Sequence, residues 1–258
     1  MALAVILMLP WLNPFALGPT PNVQPLLISW ASAALALGLV AVGRVSSAAL
    51  WRAAVSAWVA AAVLSAGMGL LQYLELAADF APWVNQSGPG TVYANLRQRN
   101  QFATLCAIGV AAVAWGYAAH GSGWRGQRLR GGLGLLAAAL IGVVWGLTGS
   151  RTGLLELVLL WLLALVWRFA APAPGRVWPV LTAATLAYLL AATGFLPGLG
   201  DGGTPLLARV WEGSTTCASR LTLWANVWQA VMQKPWLGWG WGELGYAQFM
   251  TLTTGPRF

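Results

Sequence analysis

The chain alternates between long apolar runs and short polar segments, a pattern that predicts a bundle of membrane-spanning helices. A spanning helix needs roughly 20 mostly apolar residues. The runs that reach or approach this length predict about seven transmembrane helices: 2–17, 25–43, 53–76, 102–119, 131–149, 152–170 and 177–196. The first run is short and contains Pro10 and Pro14, which membrane helices tolerate.

Residues 198–258 are more polar and predict a different structure. Between Leu221 and Val231, large apolar side chains recur at helical spacing, and polar side chains take the other face. This pattern predicts an amphipathic helix that lies on a membrane surface. We therefore expect an all-α integral membrane protein, with a transmembrane helical bundle over 1–197 and the start of a large extramembrane loop over 198–258.

Composition agrees with a membrane protein and excludes several other classes. The chain is 59% hydrophobic and only 8% charged, whereas a soluble domain carries about 25% charged residues. The net charge is +8, but the basic residues are scattered between apolar runs instead of forming one polar face. That distribution argues against nucleic-acid binding and favours topology signals and an anionic, lipid-linked ligand.

The arginines of the short loops predict how the chain crosses the membrane. Along a path of seven alternating helices, three loops on one side carry arginine and no acid: Arg44, Arg52, Arg125, Arg128, Arg130, Arg168 and Arg176. Such loops mark the cytoplasmic side. The N-terminus is then cytoplasmic, and the loop 77–101, the turn 149–151 and the segment from 197 lie on the opposite, outer side.

Six arginines fall on the outer side, where they serve no topological purpose: Arg97, Arg99, Arg151, Arg209, Arg220 and Arg257. Four of them, Arg97, Arg99, Arg151 and Arg220, are the candidates for a binding role. In NLRQRNQFATL (95–105), helical spacing would place Arg97, Asn100, Gln101 and Thr104 on one face and Arg99 away from it. Two interpretations stay open. The side chains snorkel to phospholipid headgroups, or they form an anion site at a helix start, where backbone N–H groups and bidentate guanidinium groups suit phosphate.

The other outer residues leave similar alternatives. Arg151 is flanked by Thr148, Ser150 and Thr152 and is either an interfacial anchor or part of a polar cavity. Arg220 is either a solvated helix flank or a further ligand-binding residue. The tryptophans of WLGWGWGE (236–243) form either a stacking surface for sugar rings or a tight turn.

The chain shows no grouping that indicates a metal or cofactor. Its cysteines, Cys106 and Cys217, lie in an apolar run and a polar segment, and its one histidine, His120, falls in a basic loop on the predicted cytoplasmic side. Separated ligands of this kind do not make a zinc site. We therefore predict neither a metal nor a cofactor.

Several motifs together resemble the bacterial O-antigen ligase/polymerase superfamily. They are LRQRNQFATL (96–105), the turn GSRTG (149–153), the segment from Ser219 to Phe249 and the closing GPRF, with MLPWLNPF near the start. The nearest resemblance is to the pilin-type O-oligosaccharyltransferases, which are protein glycosylation ligases. The resemblance runs along nearly the whole chain.

The resemblance implies a multi-pass enzyme of the bacterial inner membrane. It would transfer a glycan from an undecaprenyl-pyrophosphate carrier to a periplasmic acceptor: a Ser or Thr of pilin or another exported protein, or a lipid A-core sugar. It also implies that Arg97, Arg99, Arg151 and Arg220 hold the pyrophosphate of the donor and that the outer side is periplasmic, and it implies no metal. Together with Asn100 and Gln101 from the anion-site interpretation, these arginines are the predicted donor-binding residues.

The family pattern places a catalytic histidine shortly beyond the segment that matches Gly255–Phe258. We therefore expect this chain to be the N-terminal part of such an enzyme and to be inactive alone. Two alternatives remain at this stage. One is an O-antigen polymerase of the same superfamily, and the other is a non-catalytic, lipid-binding or transporter-like membrane subunit.

Overall fold

The structure is a computed structural model that describes residues 2–13, 23–119, 125–170, 177–194, 215–240 and 242–251. For residues 119, 125–130, 170 and 215–220 only the backbone is described. The regular structure of these segments is helical throughout, as the sequence predicts. The chain divides into two compact units, residues 1–208 and 209–258.

Each apolar run of the first unit forms a helix. In chain order these are α1 Ala2–Leu12, α2 Val23–Ala41, α3 Ser47–Tyr73, α4 Arg99–Ala119, α5 Arg125–Leu147, α6 Arg151–Ala170 and α7 Val177–Ala192. A short 3-10 helix, Ala77–Phe80, lies in the loop between α3 and α4. Most bounds differ from the predicted ones by a few residues.

The first run departs most from the prediction of a span over 2–17. Helix α1 ends at Leu12, and Asn13 turns the chain with a positive φ of 39°. Residues 14–17 lie outside the described residues. Eleven helical residues rise only about 16 Å, about half the thickness of the hydrocarbon core.

Within the described residues, four helices are long and apolar enough to cross a bilayer: α2, α3, α4 and α6. The apolar part of α5, Gly131–Leu147, is shorter, as are α1 and α7. The protein is therefore an all-helical membrane protein, and the structure supports four of the predicted spans by length and composition without confirming seven.

Helix α4 lies at the centre of the first unit and packs against α3, α5, α6 and α7. Its side chains are buried around much of its circumference, including Phe102, Leu105, Cys106 and Val110. A membrane helix that is buried in this way faces protein instead of lipid along most of its length.

Helices α5 and α7 run in the same direction and make backbone contact. A Cβ atom added to Gly142 would collide with the carbonyl oxygen of Ala184, and one added to Gly146 would collide with that of Tyr188. Small residues spaced four apart let membrane helices approach closely. Beside this contact, Trp145 meets Tyr188 edge to face, with ring centroids 5.6 Å apart.

The second unit contains α8 Thr215–Gln233 and α9 Leu244–Thr251. The two helices bury Ala230 and Ala247, whereas Trp224 and Trp228 are exposed. A helix is thus present where the sequence predicts the amphipathic one, and its position on a membrane surface stays a prediction.

The Gly/Trp segment between these helices is a turn. Gly238 and Gly240 adopt positive φ values of 64° and 112°. Trp239 packs within the unit: its Nε1 donates to the carbonyl oxygen of Ala230 at 2.9 Å, and Lys234 Nζ lies 4.0 Å from its ring centroid. Trp241 lies outside the described residues. The described part of the segment therefore favours the turn interpretation.

Candidate site at the starts of α4 and α6

The loop that carries Arg97 is fastened to the end of α3 by one buried amide. The Nε2 of Gln72 donates to the carbonyl oxygens of Asn85 and Ala94, both at 2.8 Å. Its Oε1 accepts from the backbone N–H groups of Tyr93 at 3.0 Å and Ala94 at 2.7 Å. Gln72 is almost fully buried, so these bonds replace all the water that the amide and the loop backbone would otherwise bind.

A second buried amide, Asn95, ties the same loop to itself and to the end of α1. Its Oδ1 accepts from the N–H of Asn85 at 2.9 Å, and its Nδ2 donates to the carbonyl oxygens of Leu12 at 3.0 Å and Trp83 at 2.8 Å. Asn13 donates in turn to the carbonyl oxygen of Asn95 at 3.2 Å. The loop is therefore built as a fixed structure before it reaches Arg97.

Arg97 lies outside helix α4, which corrects the predicted helical face. The helix begins at Arg99, and Arg97 adopts a left-handed conformation with φ 62°. The first helical bond of this turn runs from the N–H of Phe102 to the carbonyl oxygen of Gln98. Helical spacing therefore does not relate Arg97 to Asn100 and Gln101; the loop conformation sets its direction instead.

Arg97 and Arg99 each interact with a side chain of the loop. Arg99 Nη2 donates to the Thr91 hydroxyl at 2.9 Å. Burial raises the pKa of Tyr93, and the nearby positive charge of Arg97 opposes that rise. The Tyr93 hydroxyl donates to the carbonyl oxygen of Gln86 at 2.8 Å. Arg97 and Arg99 are each partly buried, so their positions are constrained.

The starts of α4 and α6 lie side by side. The Ser150 hydroxyl donates to Asn100 Oδ1 at 2.8 Å and accepts the N–H of Gly153 at 3.2 Å, which makes Ser150 the N-cap of α6. Arg99 and Arg151 are the first residues of these two helices. Two helix starts with their positive dipole ends thus meet at one end of the bundle.

Below this contact the two helices touch closely. A Cβ on Gly153 would lie 2.6 Å from Trp145 Nε1 and 3.1 Å from Ala103 Cβ, so only glycine fits there. One turn further in, the Thr104 hydroxyl donates to Glu156 Oε1 at 2.6 Å. At the other end of the same helix pair, the rings of Trp115 and Trp167 stack at 5.7 Å.

Two of the hydroxyl residues that flank Arg151 build the turn before it. Thr148 and Ser150 are buried and build the turn, since the Thr148 hydroxyl donates to the carbonyl oxygen of Trp145 at 2.7 Å and accepts the N–H of Ser150 at 3.2 Å. Arg151 and Thr152 are exposed. The hydroxyl groups therefore present Arg151 at the helix start instead of enclosing it.

The structure thus brings four of the predicted donor-binding residues to the ends of two adjoining helices: Arg99, Asn100, Gln101 and Arg151. Asn100 and Gln101 are exposed, and Arg97 is held in the loop directly before them. Arg220 belongs to α8 of the second unit, and its side chain lies outside the described part of the chain, as do His120, Arg209 and Cys217.

Gln72 and Asn95, which fasten the arginine loop, were not among the predicted residues. Gln72 is a lone amide near the end of an apolar run, and a polar side chain in such a place needs partners because unpaired polar groups are costly there. That signal was present in the sequence. The identity of its partners, 13 to 22 residues away, was not.

Comparison with known families matches two segments of the chain. A family model described as "Protein glycosylation ligase" matches residues 92–115, which include Arg97, Arg99 and the start of α4. A model described as "O-Antigen ligase" matches residues 136–255, which include Arg151, Glu156 and α8. Searches of curated proteins and of solved structures gave no match.

Proposed function

Because the chain belongs to the superfamily of O-antigen ligases and protein glycosylation ligases, we propose that its arginine site binds the pyrophosphate of a lipid-linked glycan donor. The donor is a glycan on undecaprenyl pyrophosphate. The acceptor is a hydroxyl group on the periplasmic side, either a Ser or Thr of pilin or another exported protein, or a sugar of lipid A-core.

The observation that carries this proposal is the meeting of two arginine-bearing helix starts, joined by the hydrogen bond between Ser150 and Asn100. Helix starts present unpaired N–H groups and a positive dipole end, both of which favour phosphate. Arg99 and Arg151 open these helices, and Arg97 precedes the first of them. Guanidinium groups bind phosphate oxygens in a bidentate way, so this set suits a pyrophosphate.

The site would act on the leaving group. In the transfer, the acceptor oxygen forms a bond to the anomeric carbon of the glycan while the bond from that carbon to the pyrophosphate oxygen breaks. The bonding electron pair leaves with undecaprenyl pyrophosphate, and the acceptor hydroxyl loses its proton to a base. Negative charge therefore develops on the pyrophosphate, where fixed arginines and helix starts stabilise it most.

The placement in the cell is part of the proposal. We place the protein in the bacterial inner membrane, with its N-terminus in the cytoplasm and the arginine site and second unit facing the periplasm. The support is the set of arginine-rich short loops at the opposite end of the bundle.

Binding of undecaprenyl pyrophosphate to the chain in nanodiscs tests the site. We expect Arg97→Ala, Arg99→Ala and Arg151→Ala each to weaken binding about ten- to a hundredfold, the range for loss of hydrogen bonds to a charged group. Arg99→Lys and Arg151→Lys should recover only part of the affinity, because lysine keeps the charge but not the bidentate geometry.

Arg168→Ala is the matched control. Arg168 is exposed and lies in the last turn of α6, about 25 Å from Arg151 along the same helix. The Arg168→Ala variant should bind undecaprenyl pyrophosphate as tightly as the unaltered protein does. If all the site variants bind the lipid as tightly as the unaltered protein, the proposed site is wrong. If Arg168→Ala loses as much affinity as they do, the lipid is attracted by positive charge in general and not by this site. Arg220→Ala tests separately whether the second unit contributes.

Glycan-transfer assays with the protein, with a pilin-type acceptor and a lipid A-core acceptor in parallel, would identify the acceptor. Glycan transfer to only one of them assigns the branch of the superfamily. If neither acceptor is modified but repeat units are joined to each other, the protein is a polymerase and the proposed acceptor is wrong.

A further inference from the structure

We propose that Glu156 and Thr104 form a positioning pair that sets the spacing of the arginine-bearing starts of α4 and α6. The inference rests on the proposed function, because it concerns how the donor site is held in shape. Neither residue needs to touch the donor; their effect would reach it through the two helix starts.

The first support is the place of Glu156 in the bundle. It is the one acidic residue of α6 and lies about 7.5 Å along the helix from Arg151. A carboxyl group within a membrane helix is costly unless a partner satisfies it. Its Oε1 accepts the Thr104 hydroxyl at 2.6 Å, and its Oε2 is shielded from solvent. The group therefore faces α4 instead of the surroundings of the bundle.

The second support is the register of the contacts. Asn100 meets Ser150, Ala103 meets Gly153 and Thr104 meets Glu156, in the same order along both helices. The outermost contact holds the arginine-bearing ends together, and the innermost lies one turn deeper. Two cross-helix hydrogen bonds, one turn apart, prevent both sliding and rotation of α6 against α4.

The third support is that apolar contacts alone do not hold this part of α6. Its side chains on either side of the α4 contact are exposed, including Leu154, Leu155, Val158 and Leu159. Apart from the buried Gly153 and Leu157, α6 has little apolar packing near its start, so it depends on these polar contacts for its alignment with α4. Loss of the Thr104–Glu156 bond would therefore displace Arg151 relative to Arg99 and weaken donor binding.

The test is a pair of measurements on the chain in nanodiscs. One is the affinity of the unlabelled variants for undecaprenyl pyrophosphate, because Gln101 is itself a predicted donor-binding residue. The other is the separation of spin labels at two exposed positions, Gln101 and Thr152. The labels are placed in a background that carries Cys106→Ala and Cys217→Ala. We expect Thr104→Val and Glu156→Leu to change the label separation and to weaken binding about three- to twentyfold, the range for hydrogen bonds between membrane helices.

Conservative variants separate positioning from charge. Thr104→Ser keeps the hydroxyl, and Glu156→Gln keeps an oxygen that accepts it, so both should retain affinity and label separation. The double variant Thr104→Val/Glu156→Leu should lose no more than either single variant, because the two remove one shared interaction.

Thr185→Val is the matched control. The Thr185 hydroxyl accepts from Trp161 Nε1 at 2.9 Å and so joins α7 to α6 at a deeper level. Its removal costs a hydrogen bond between membrane helices as Thr104→Val does, but should leave both the labels and the affinity unchanged.

Three results would overturn the inference: unchanged label separation in Thr104→Val, unchanged affinity despite a changed separation, or the same losses in Thr185→Val. If the unaltered protein fails to bind the lipid, the proposed function fails. The label separation then still decides whether the pair sets the helix spacing.

Discussion

At the scale of single residues, the pKa of Tyr93 depends on the charge of Arg97. Burial raises the pKa of this phenol above its ordinary value of 10.0, and the charge of Arg97 lowers it. Because folding raises the pKa of Tyr93, the neutral phenol contributes its full share to the free energy of unfolding below pH 10.0. This contribution is lost as the pH rises from there through the folded-state value.

We predict that Arg97→Gln raises the pKa of Tyr93 further, because burial then acts unopposed. Inorganic pyrophosphate bound beside Arg97 should shift it in the same direction by cancelling the positive charge. Ultraviolet difference titration against Tyr93→Phe isolates this tyrosine from the other four. Arg99→Gln is the comparison, since Arg99 donates to Thr91; an unchanged titration in Arg97→Gln would contradict the prediction.

Residue-level prediction from the sequence was uneven for a physical reason. The candidates Asn100, Gln101 and Arg151 were recognised because polar groups next to apolar runs stand out locally. The helical face assigned to Arg97 was wrong because its left-handed φ depends on the fastened loop before it. That loop is held by partners as distant as Leu12, whose carbonyl oxygen accepts from Asn95, and no local pattern reveals them.

At the scale of elements, apolar length predicted where the helices lie, and small residues determine how closely they pack. The runs located α2 to α7 to within a few residues, because burial in lipid or protein demands the same composition. The contact of α5 with α7 was not predicted: it depends on Gly142 and Gly146 meeting backbone atoms of another helix, which hydrophobicity does not encode.

We predict that Gly146→Ala destabilises the first unit by about 1–3 kcal/mol, since the added methyl group has no space against the α7 backbone. Gly67→Ala is the control, because a Cβ there meets nothing within 4 Å and alanine favours helix more than glycine does. Unfolding of both variants in the same detergent gives the comparison. Equal stabilities would mean that α5 and α7 separate at no cost.

At the scale of the whole molecule, the first unit has two chemically distinct ends. One carries the fastened loop and the starts of α4 and α6. The other carries exposed Arg44, Arg52 and Arg168 together with the stacked Trp115 and Trp167. Arginine-rich short loops are typical of the cytoplasmic side, whereas aromatic residues are enriched at both membrane boundaries.

We predict that a thiol at Thr152 reacts with a membrane-impermeant reagent in intact spheroplasts, whereas one at Val42 reacts only after lysis. Both positions are exposed, so access to the reagent decides the outcome. The substitutions Thr152→Cys and Val42→Cys are made in the background without Cys106 and Cys217. Labelling of Val42→Cys in intact spheroplasts, with protection of Thr152→Cys, would reverse the proposed orientation and remove the site from the periplasm.

The hydrogen bonds of Gln72 also limit when its contacts can form during synthesis of the protein. Every group that satisfies this amide belongs to residues 85–94, so these partners are absent until that segment has been translated. The amide is completed only when the loop has been translated, and Asn95 then closes that loop onto Leu12. The contacts that join α1, α3 and this loop therefore cannot form until the chain has been translated to Asn95, four residues before α4 begins.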